Sequence, residues 1–300
     1  MGQQIPLPSR VLAVDFEKDA QRDDRTHEVT SDIAYRRLAF VNVAFLGELG
    51  AGDGEWVLVD AGLPGTRGLI KSAATARFGD NIRPAAIVLT HGHFDHVGAL
   101  PELAREWEVP VYAHPLEHPY LNGTASYPEG DPSVGGGTMA RLARLYPRGP
   151  IELGDWLRPL PEDGTIPHLP DWRWIHTPGH SVGHVSLWRP GDRVLLAGDA
   201  IATTAQETMT GALFQPPEMH GPPTYYTCEW DKAHRSVQKL AGLDPEIVLA
   251  GHGRPMRGAE MRLALERLSD AFGSVACPHQ GFYLDHPARA EDGTAYQSVG

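Results

Sequence analysis

Cysteine is scarce in this sequence: Cys228 and Cys277 are the only two among 300 residues. They form no C-x-x-C pair and no even-numbered framework, so a disulfide-stapled scaffold is excluded and both read as reduced, partly buried filling. Long apolar runs are missing too. The longest, such as residues 85–89, extend for about five residues, far short of the ~18 that cross a bilayer. Positive charge is under-represented, with 26 Lys and Arg against 38 Asp and Glu and a formal net charge of −12. The deficit is even: 14 against 19 in residues 1–150, and 12 against 19 in residues 151–300. With no basic patch or tail, neither nucleic acid nor an anionic membrane is an expected partner. The opening MGQQIPLPSR has no apolar signal-peptide core, and Pro6 stands where a myristoylation signal needs Ser or Thr. The expectation is a cytoplasmic protein with a small-molecule substrate, its oligomeric state open, a homodimer included.

Apolar residues make up 41% of the chain and charged residues 21%, which excludes a disordered chain, a coiled coil and a fibre. Gly and Pro, at 33 and 26, imply short elements with frequent turns. Residues 11–16 and 38–46 read as strands, and 50–54 as a turn leading to a further strand over 56–59. An amphipathic helix is expected over 66–78, stopped by Gly79, with others at 101–108, 137–146, 230–242 and 258–272. Three short apolar runs, AAIVLT, RVLLAG and EIVLAG, have the look of strands covered on both faces. Residues 122–137 and 203–227 read as long loops beside a pocket, and the segment from Cys277 onward as a surface wrap. No linker is visible, so a single domain over 1–300 is expected.

Histidine is plentiful, at 15 residues. His91-Gly92-His93-Phe94-Asp95-His96 places four candidate metal ligands in six residues at the end of a buried strand. Packing does not account for such density, whereas a shared cation does: as its ligands the imidazoles must be neutral and hydrogen-bonded. Three further residues leave buried strands in the same manner: His180 in TPGH, Asp199 after LLAG and His252 after LAG. A rigid sheet end is where a ligand is held to sub-ångström accuracy.

HGHFDH, TPGH, AGDA and AGHG, in that order over residues 35–260, closely resemble the metallo-β-lactamase superfamily. The resemblance implies an α/β fold, an αββα sandwich of two mixed sheets with helices outside and metals at one edge between the sheets. It implies His91, His93 and His180 on one metal, Asp95, His96 and His252 on a second, and Asp199 bridging them. Asp60, closing the strand at 56–59, matches the family's early aspartate and is expected to orient a ligand from behind. Within the family, His93 stands where flavodiiron proteins carry an acidic residue, and the bridging Asp199 is generally absent from true β-lactamases. Tail-processing nucleases need nucleic-acid surfaces that this chain lacks. The segment after Asp199 does not resemble the thioester-binding segment of glyoxalase II hydrolases, and no substrate-facing tyrosine of the lactonases is identified.

Two divalent ions, Zn by default with Fe or Mn suiting the same donors, would hold a bridging hydroxide that attacks a carbonyl or phosphoryl centre. Asp95 and Asp199 are the catalytic candidates, Asp95 as ligand and proton relay. The expected activity is hydrolysis of a small ester, lactone or thioester. The alternatives are a mononuclear iron sulfur dioxygenase of the same fold, a phosphodiesterase, and a non-catalytic binding protein. His184 is a candidate support for the ligands, and His220, Tyr225 and Tyr226 are candidate substrate contacts. His114 and His118, flanking Glu117 in AHPLEH, read as surface or packing histidines, since Pro115 and Pro119 break the helix that would align them.

Overall fold

The computed structural model describes residues 5–13, 25–135 and 137–299. In chain order the strands are β1 (Ile5–Pro6), β2 (His27–Thr30), β3 (Ile33–Leu38), β4 (Val41–Leu46), β5 (Val57–Val59), β6 (Ala86–Val88), β7 (Val111–Ala113) and β8 (Leu157–Pro159). They continue with β9 (Thr165–Ile166), β10 (Leu169–His176), β11 (Val185–Arg189), β12 (Val194–Gly198), β13 (Glu218–Met219), β14 (Ile247–Ala250) and β15 (Met256–Arg257). One sheet runs β2-β3-β4-β5-β6-β7-β8, the other β15-β14-β12-β11-β10-β9, and β1 pairs with β13. Both large sheets are mixed. The first is antiparallel from β2 to β5 and parallel from β5 to β8; the second is antiparallel except where β12 meets β14.

The layering follows from strand periodicity. On β4, Ala44 and Leu46 join a core shared by the two sheets, while Val41, Val43 and Phe45 face the opposite way. On β12, Val194 and Leu196 point to that shared core, and Leu195 and Ala197 point outward. On β14, Ile247 and Leu249 face in and Val248 faces out. A strand with apolar residues on both faces needs cover on both. For the first sheet the outer cover is α1 (Arg67–Phe78), with α2 (Phe94–Val97) and α3 (Leu100–Trp107) following β6. For the second it is α4 (Trp230–Ala241) and α5 (Ala259–Asp270). Leu100, Leu103, Ala104 and Trp107 bury one face of α3, and Pro101 opens it where a missing N–H costs nothing. Gly79, at φ 110°, stops α1. The result is the expected four-layer αββα sandwich. Among the described residues, no helix is long and apolar enough to cross a membrane.

Several boundaries move. The expected strand 38–46 is a hairpin rather than one strand: β3 ends at Leu38, Ala39 turns the chain at φ 58°, and β4 starts at Val41. The expected strand 11–16 is a 3-10 turn at Ser9–Val11 and a bridge from Leu12 to Met256, with residues 14–16 outside the described residues. The expected helix 137–146 shrinks to Thr138–Arg141 and a 3-10 turn at Ala143–Leu145. The loop 203–227 carries a short helix, Met209–Phe214, and β13. The C-terminal segment does more than wrap the surface: Tyr283, Ala288 and Ala295 bury against Tyr120, Tyr127, Val182 and Cys228.

Candidate metal centre

Seven ligand candidates come from both sheets to one edge of the sandwich. His91 and His93 follow β6, and Asp95 and His96 lie on the single turn of α2. His180 follows β10, Asp199 leaves β12 directly, and His252 follows β14. All seven side chains are buried. Their donor atoms fall into three overlapping groups, each within 4.8 Å: His91, His93 and His180; His91, His96 and Asp199; Asp95, His96 and His252. Asp199 touches both outer groups, with Oδ2 3.5 Å from His180 Nε2 and 3.1 Å from His252 Nε2, and Oδ1 3.5 Å from His96 Nε2. His93 Nδ1 lies 2.9 Å from His180 Nε2, and His252 Nε2 lies 3.5 Å from Asp95 Oδ2.

Ring orientation is set from behind. Nδ1 of His91 faces Thr90 Oγ1 at 3.0 Å, Nδ1 of His96 faces Asp60 Oδ2 at 2.8 Å, and Nδ1 of His252 faces the Phe40 carbonyl at 2.9 Å. Each therefore turns Nε2 toward the centre, the arrangement that outer partners impose on metal-bound histidines. Asp60, at φ 61°, also accepts from the Thr90 N–H and hydroxyl, both at 2.8 Å, which ties it to the strand end carrying His91. His184 accepts the Asp199 N–H at 2.8 Å through Nε2 and faces Thr177 Oγ1 at 2.8 Å through Nδ1. It holds the backbone of Asp199 and not the carboxylate. The glycines before the ligands are required for space. A Cβ on Gly251 would lie 2.1 Å from Asp199 Oδ1, and one on Gly198, itself at φ 54°, would lie 2.5 Å from His184 Nε2.

Burial pushes His91 and His180 well below the ordinary imidazole range and holds His93 and His184 at about 3, so these four are neutral near pH 7. For His96 burial acts in the same sense, but the carboxylates of Asp199 and Asp60 outweigh it and raise the value. His252 is raised likewise against burial, chiefly by Asp199. Burial raises Asp95. Asp199 is held well below the usual carboxylate range by His252 and His96, which overcome its burial. His91 Nε2, His96 Nε2 and Asp199 Oδ1 are buried with no hydrogen-bond partner. Three orphaned lone-pair donors in one cluster are costly alone and are what a divalent cation satisfies, so the donor set fits metal.

Of the loop residues, Tyr226 stacks on His93 with ring centroids 4.7 Å apart, and its hydroxyl is buried without a partner. Tyr225 packs against Tyr226 and Tyr146. His220 stands apart from these, facing Glu207 Oε2 at 3.4 Å and the Gly221 carbonyl at 3.0 Å. Met219 belongs to the core under the second sheet, and Phe214 is 70% exposed. His114 stacks on His176, 4.3 Å apart, and His118 faces the Ala113 carbonyl. The residue between them, Glu117, is the one at the centre: it is fully buried and accepts the Gly92 N–H at 3.0 Å. Reading AHPLEH for its histidines passed over its carboxylate. Tyr127, packed 4.3 Å from His93, lies in a Gly/Pro-rich stretch with no signal to mark it.

Comparison with known proteins agrees with this geometry. The profile of the metallo-beta-lactamase superfamily matches residues 36–252. The chain is 46% identical over 234 residues to the probable metallo-hydrolase YflN of Bacillus subtilis (strain 168), covering 78% of this chain and 88% of that one. It is 28% identical over 235 residues to a hydroxyacylglutathione hydrolase of Xylella fastidiosa (strain M23), covering 76% of this chain and 66% of that one. Among solved structures, TTHA1623 in a di-iron-bound form superposes with a TM-score of 0.50 at 27% identity, covering 79% of this chain and 98% of that one. The chain belongs to the metallo-beta-lactamase superfamily.

Proposed function

We propose that this metal-dependent hydrolase works through a dinuclear centre and acts on a small ester-, lactone- or thioester-like substrate. His91, His93 and His180 would hold one ion, Asp95, His96 and His252 the other, and Asp199 would be shared. The observation that carries this reading is the position of Asp199, whose Oδ2 lies within 3.5 Å of both His180 Nε2 and His252 Nε2 while its Oδ1 lies 3.5 Å from His96 Nε2. Two bound divalent ions supply activation of water and polarisation of a substrate oxygen.

The chain's own residues do the rest. Asp60, Thr90 and the Phe40 carbonyl fix the imidazole rings, and His184 fixes the backbone of Asp199. Asp95 sits beside His252 at the rim of the donor set and is assigned the proton relay. Tyr226 closes the side over His93 and carries a buried hydroxyl with nothing to bond, a donor suited to a substrate oxygen. The hydroxyacylglutathione hydrolase among the relatives supports an acyl substrate, and the di-iron form of TTHA1623 supports iron beside zinc as the native metal. The even net charge of −12 favours a small-molecule substrate over nucleic acid.

Metal analysis of the purified protein, together with rates on a panel of lactones, thioesters, phosphodiesters and β-lactams, tests this. Two metals per chain and fastest turnover on a lactone or thioester are expected. A single iron per chain with oxygen uptake on a thiol substrate would move the reading to a sulfur dioxygenase.

A further inference from the structure

We propose that Glu117 is a positioning residue that locks together the two loops holding His91, His93 and His180, and so sets the metal affinity of that group. The inference rests on the dinuclear reading above. Glu117 is fully buried, and its two oxygens divide their donors between the sheets. Oε2 accepts the Gly92 N–H at 3.0 Å and the Tyr127 hydroxyl, on the side of the first sheet. Oε1 accepts the Ser181 hydroxyl and the Gly183 N–H, both at 2.8 Å, on the loop that leaves the second sheet. Gly92 lies between His91 and His93, and Ser181 follows His180.

One carboxylate thus joins the peptide linking two ligands to the residue after the third. His93 Nδ1 and His180 Nε2 come from these separate loops and lie 2.9 Å apart, a convergence that any drift of one loop would open. His93 and His180 lie 87 residues apart in the chain, and Glu117 bonds their two loops directly, beside the Val185 N–H to Thr90 carbonyl bond at 2.9 Å that joins the adjoining strand ends.

The cradle is tight. A Cβ on Gly183 would lie 2.8 Å from Glu117 Cγ, and a Cβ on Gly92 would lie 2.7 Å from the Tyr127 hydroxyl oxygen. Tyr127 accepts the Gly92 N–H at 2.8 Å, donates to Glu117, and lays its ring against His93. Tyr120 stacks behind it at 3.7 Å and donates to the Ala295 carbonyl at 3.0 Å, so the C-terminal segment backs the same assembly. A buried carboxylate is expensive unless fully bonded. Here four donors meet it, and they are backbone or hydroxyl groups, not cations. That bonding fixes loops rather than neutralising charge.

The test uses metal-free protein titrated with Co²⁺, read by the visible absorption of the bound ion and by the dissociation constant of each equivalent. Glu117→Gln turns one acceptor into a donor facing N–H and O–H groups. The affinity of one of the two equivalents should fall by roughly 10- to 100-fold with a changed absorption band, as for other outer partners, while the second equivalent keeps its affinity. Ser181→Ala and Tyr127→Phe each delete one of the four donors, and a fall of about 3-fold at the same equivalent is expected for each. Wild-type affinity and spectrum in Glu117→Gln, with or without a lowered melting temperature, would overturn the proposal by reducing Glu117 to a packing role. If Glu117→Gln does not fold, unchanged Co²⁺ binding in both single-donor variants overturns it equally. Failure of the wild type to bind two Co²⁺ would instead break the dinuclear reading.

Discussion

The two proposed ligand groups meet at one edge yet solve the same problem in opposite ways. His91, His93 and His180 are imidazoles kept neutral by burial, and the carboxylate that serves them, Glu117, bonds their loops and touches no ring. His96 and His252 sit among carboxylates that raise them, and the residue that serves His96, Asp60, bonds the ring itself. One group is assembled by placing backbone, the other by pairing charge. Geometry should therefore dominate the affinity of the first group and electrostatics that of the second.

The strongest way to break this comparison is to remove what the groups share. Asp199→Ala should lower kcat/KM on the order of 10²–10³-fold and reduce the metal content from two ions per chain to at most one. Retention of two metals and of most activity would show that Asp199 bridges nothing. Asp60→Asn sharpens the contrast instead. It withdraws the anion from His96 Nδ1, so the affinity of one equivalent of Co²⁺ should fall roughly 10- to 100-fold. The equivalent lost must differ in spectrum from the one weakened by Glu117→Gln; identical spectra would mean that the two groups are not separate.

Tyr226→Phe keeps the ring on His93 and deletes a hydroxyl that has no partner in the folded protein. A fall in kcat/KM of about 3- to 10-fold is expected, with metal content unchanged and the melting temperature equal or slightly higher, because an unsatisfied buried hydroxyl costs stability. A lower melting temperature with unchanged kinetics would make this loop cladding only.

The smallest effect lies away from the centre. Burial, with His176 and His118 adding to it, holds His114 down to about 4, against about 6.5 for a free imidazole. The unfolded chain then binds more protons between those values, so this contribution to stability is complete above about pH 6.5 and is lost as the pH falls toward about 4. His114→Phe keeps the stack on His176 and removes the titration. In urea unfolding of metal-free protein at about pH 7.5 and about pH 5, the wild type should lose about 1 kcal/mol more than the variant, allowing for partial exposure of the ring. Equal losses would show that His114 titrates normally.

The sequence carries the candidate ligands more openly than their supports, for a physical reason. A His or Asp directly following a buried apolar strand is conspicuous, as at His91, Asp199 and His252, whereas Asp95 and His96 on α2 and His180 beyond β10 are marked by their motifs. The supports act through backbone or through distant contacts. The Phe40 carbonyl reaches His252 because Ala39 turns the chain at a positive φ, a position where no Gly, Asn or Pro signals a hairpin. Asn42 on β4 then donates to the Ala250 and Gly253 carbonyls and clamps the His252 loop from the other sheet. Neither partner is visible without the fold. Glu117 was masked by the more conspicuous histidines on either side. The strands AAIVLT, RVLLAG and EIVLAG are legible because two-sided burial leaves an unbroken apolar run; the helix expected at 137–146 is present but shorter, and the short helix near residue 210 does not show, because six residues hold too little periodicity.

The distribution of the centre along the chain also bears on how it is made. The cluster from His91 to His96 leaves the ribosome well before Asp199 and His252, and Ala295, which backs Tyr120, comes later still. At about 5–20 residues per second, roughly 8 to 30 seconds separate synthesis of His96 from that of His252. Through the earlier part of that interval a nascent chain displays three histidines and an aspartate before His180, Asp199 and the second sheet have been made. An ion met in that interval would find only part of the donor set; all seven candidate ligands are available together only once His252 has been made and the sandwich has closed.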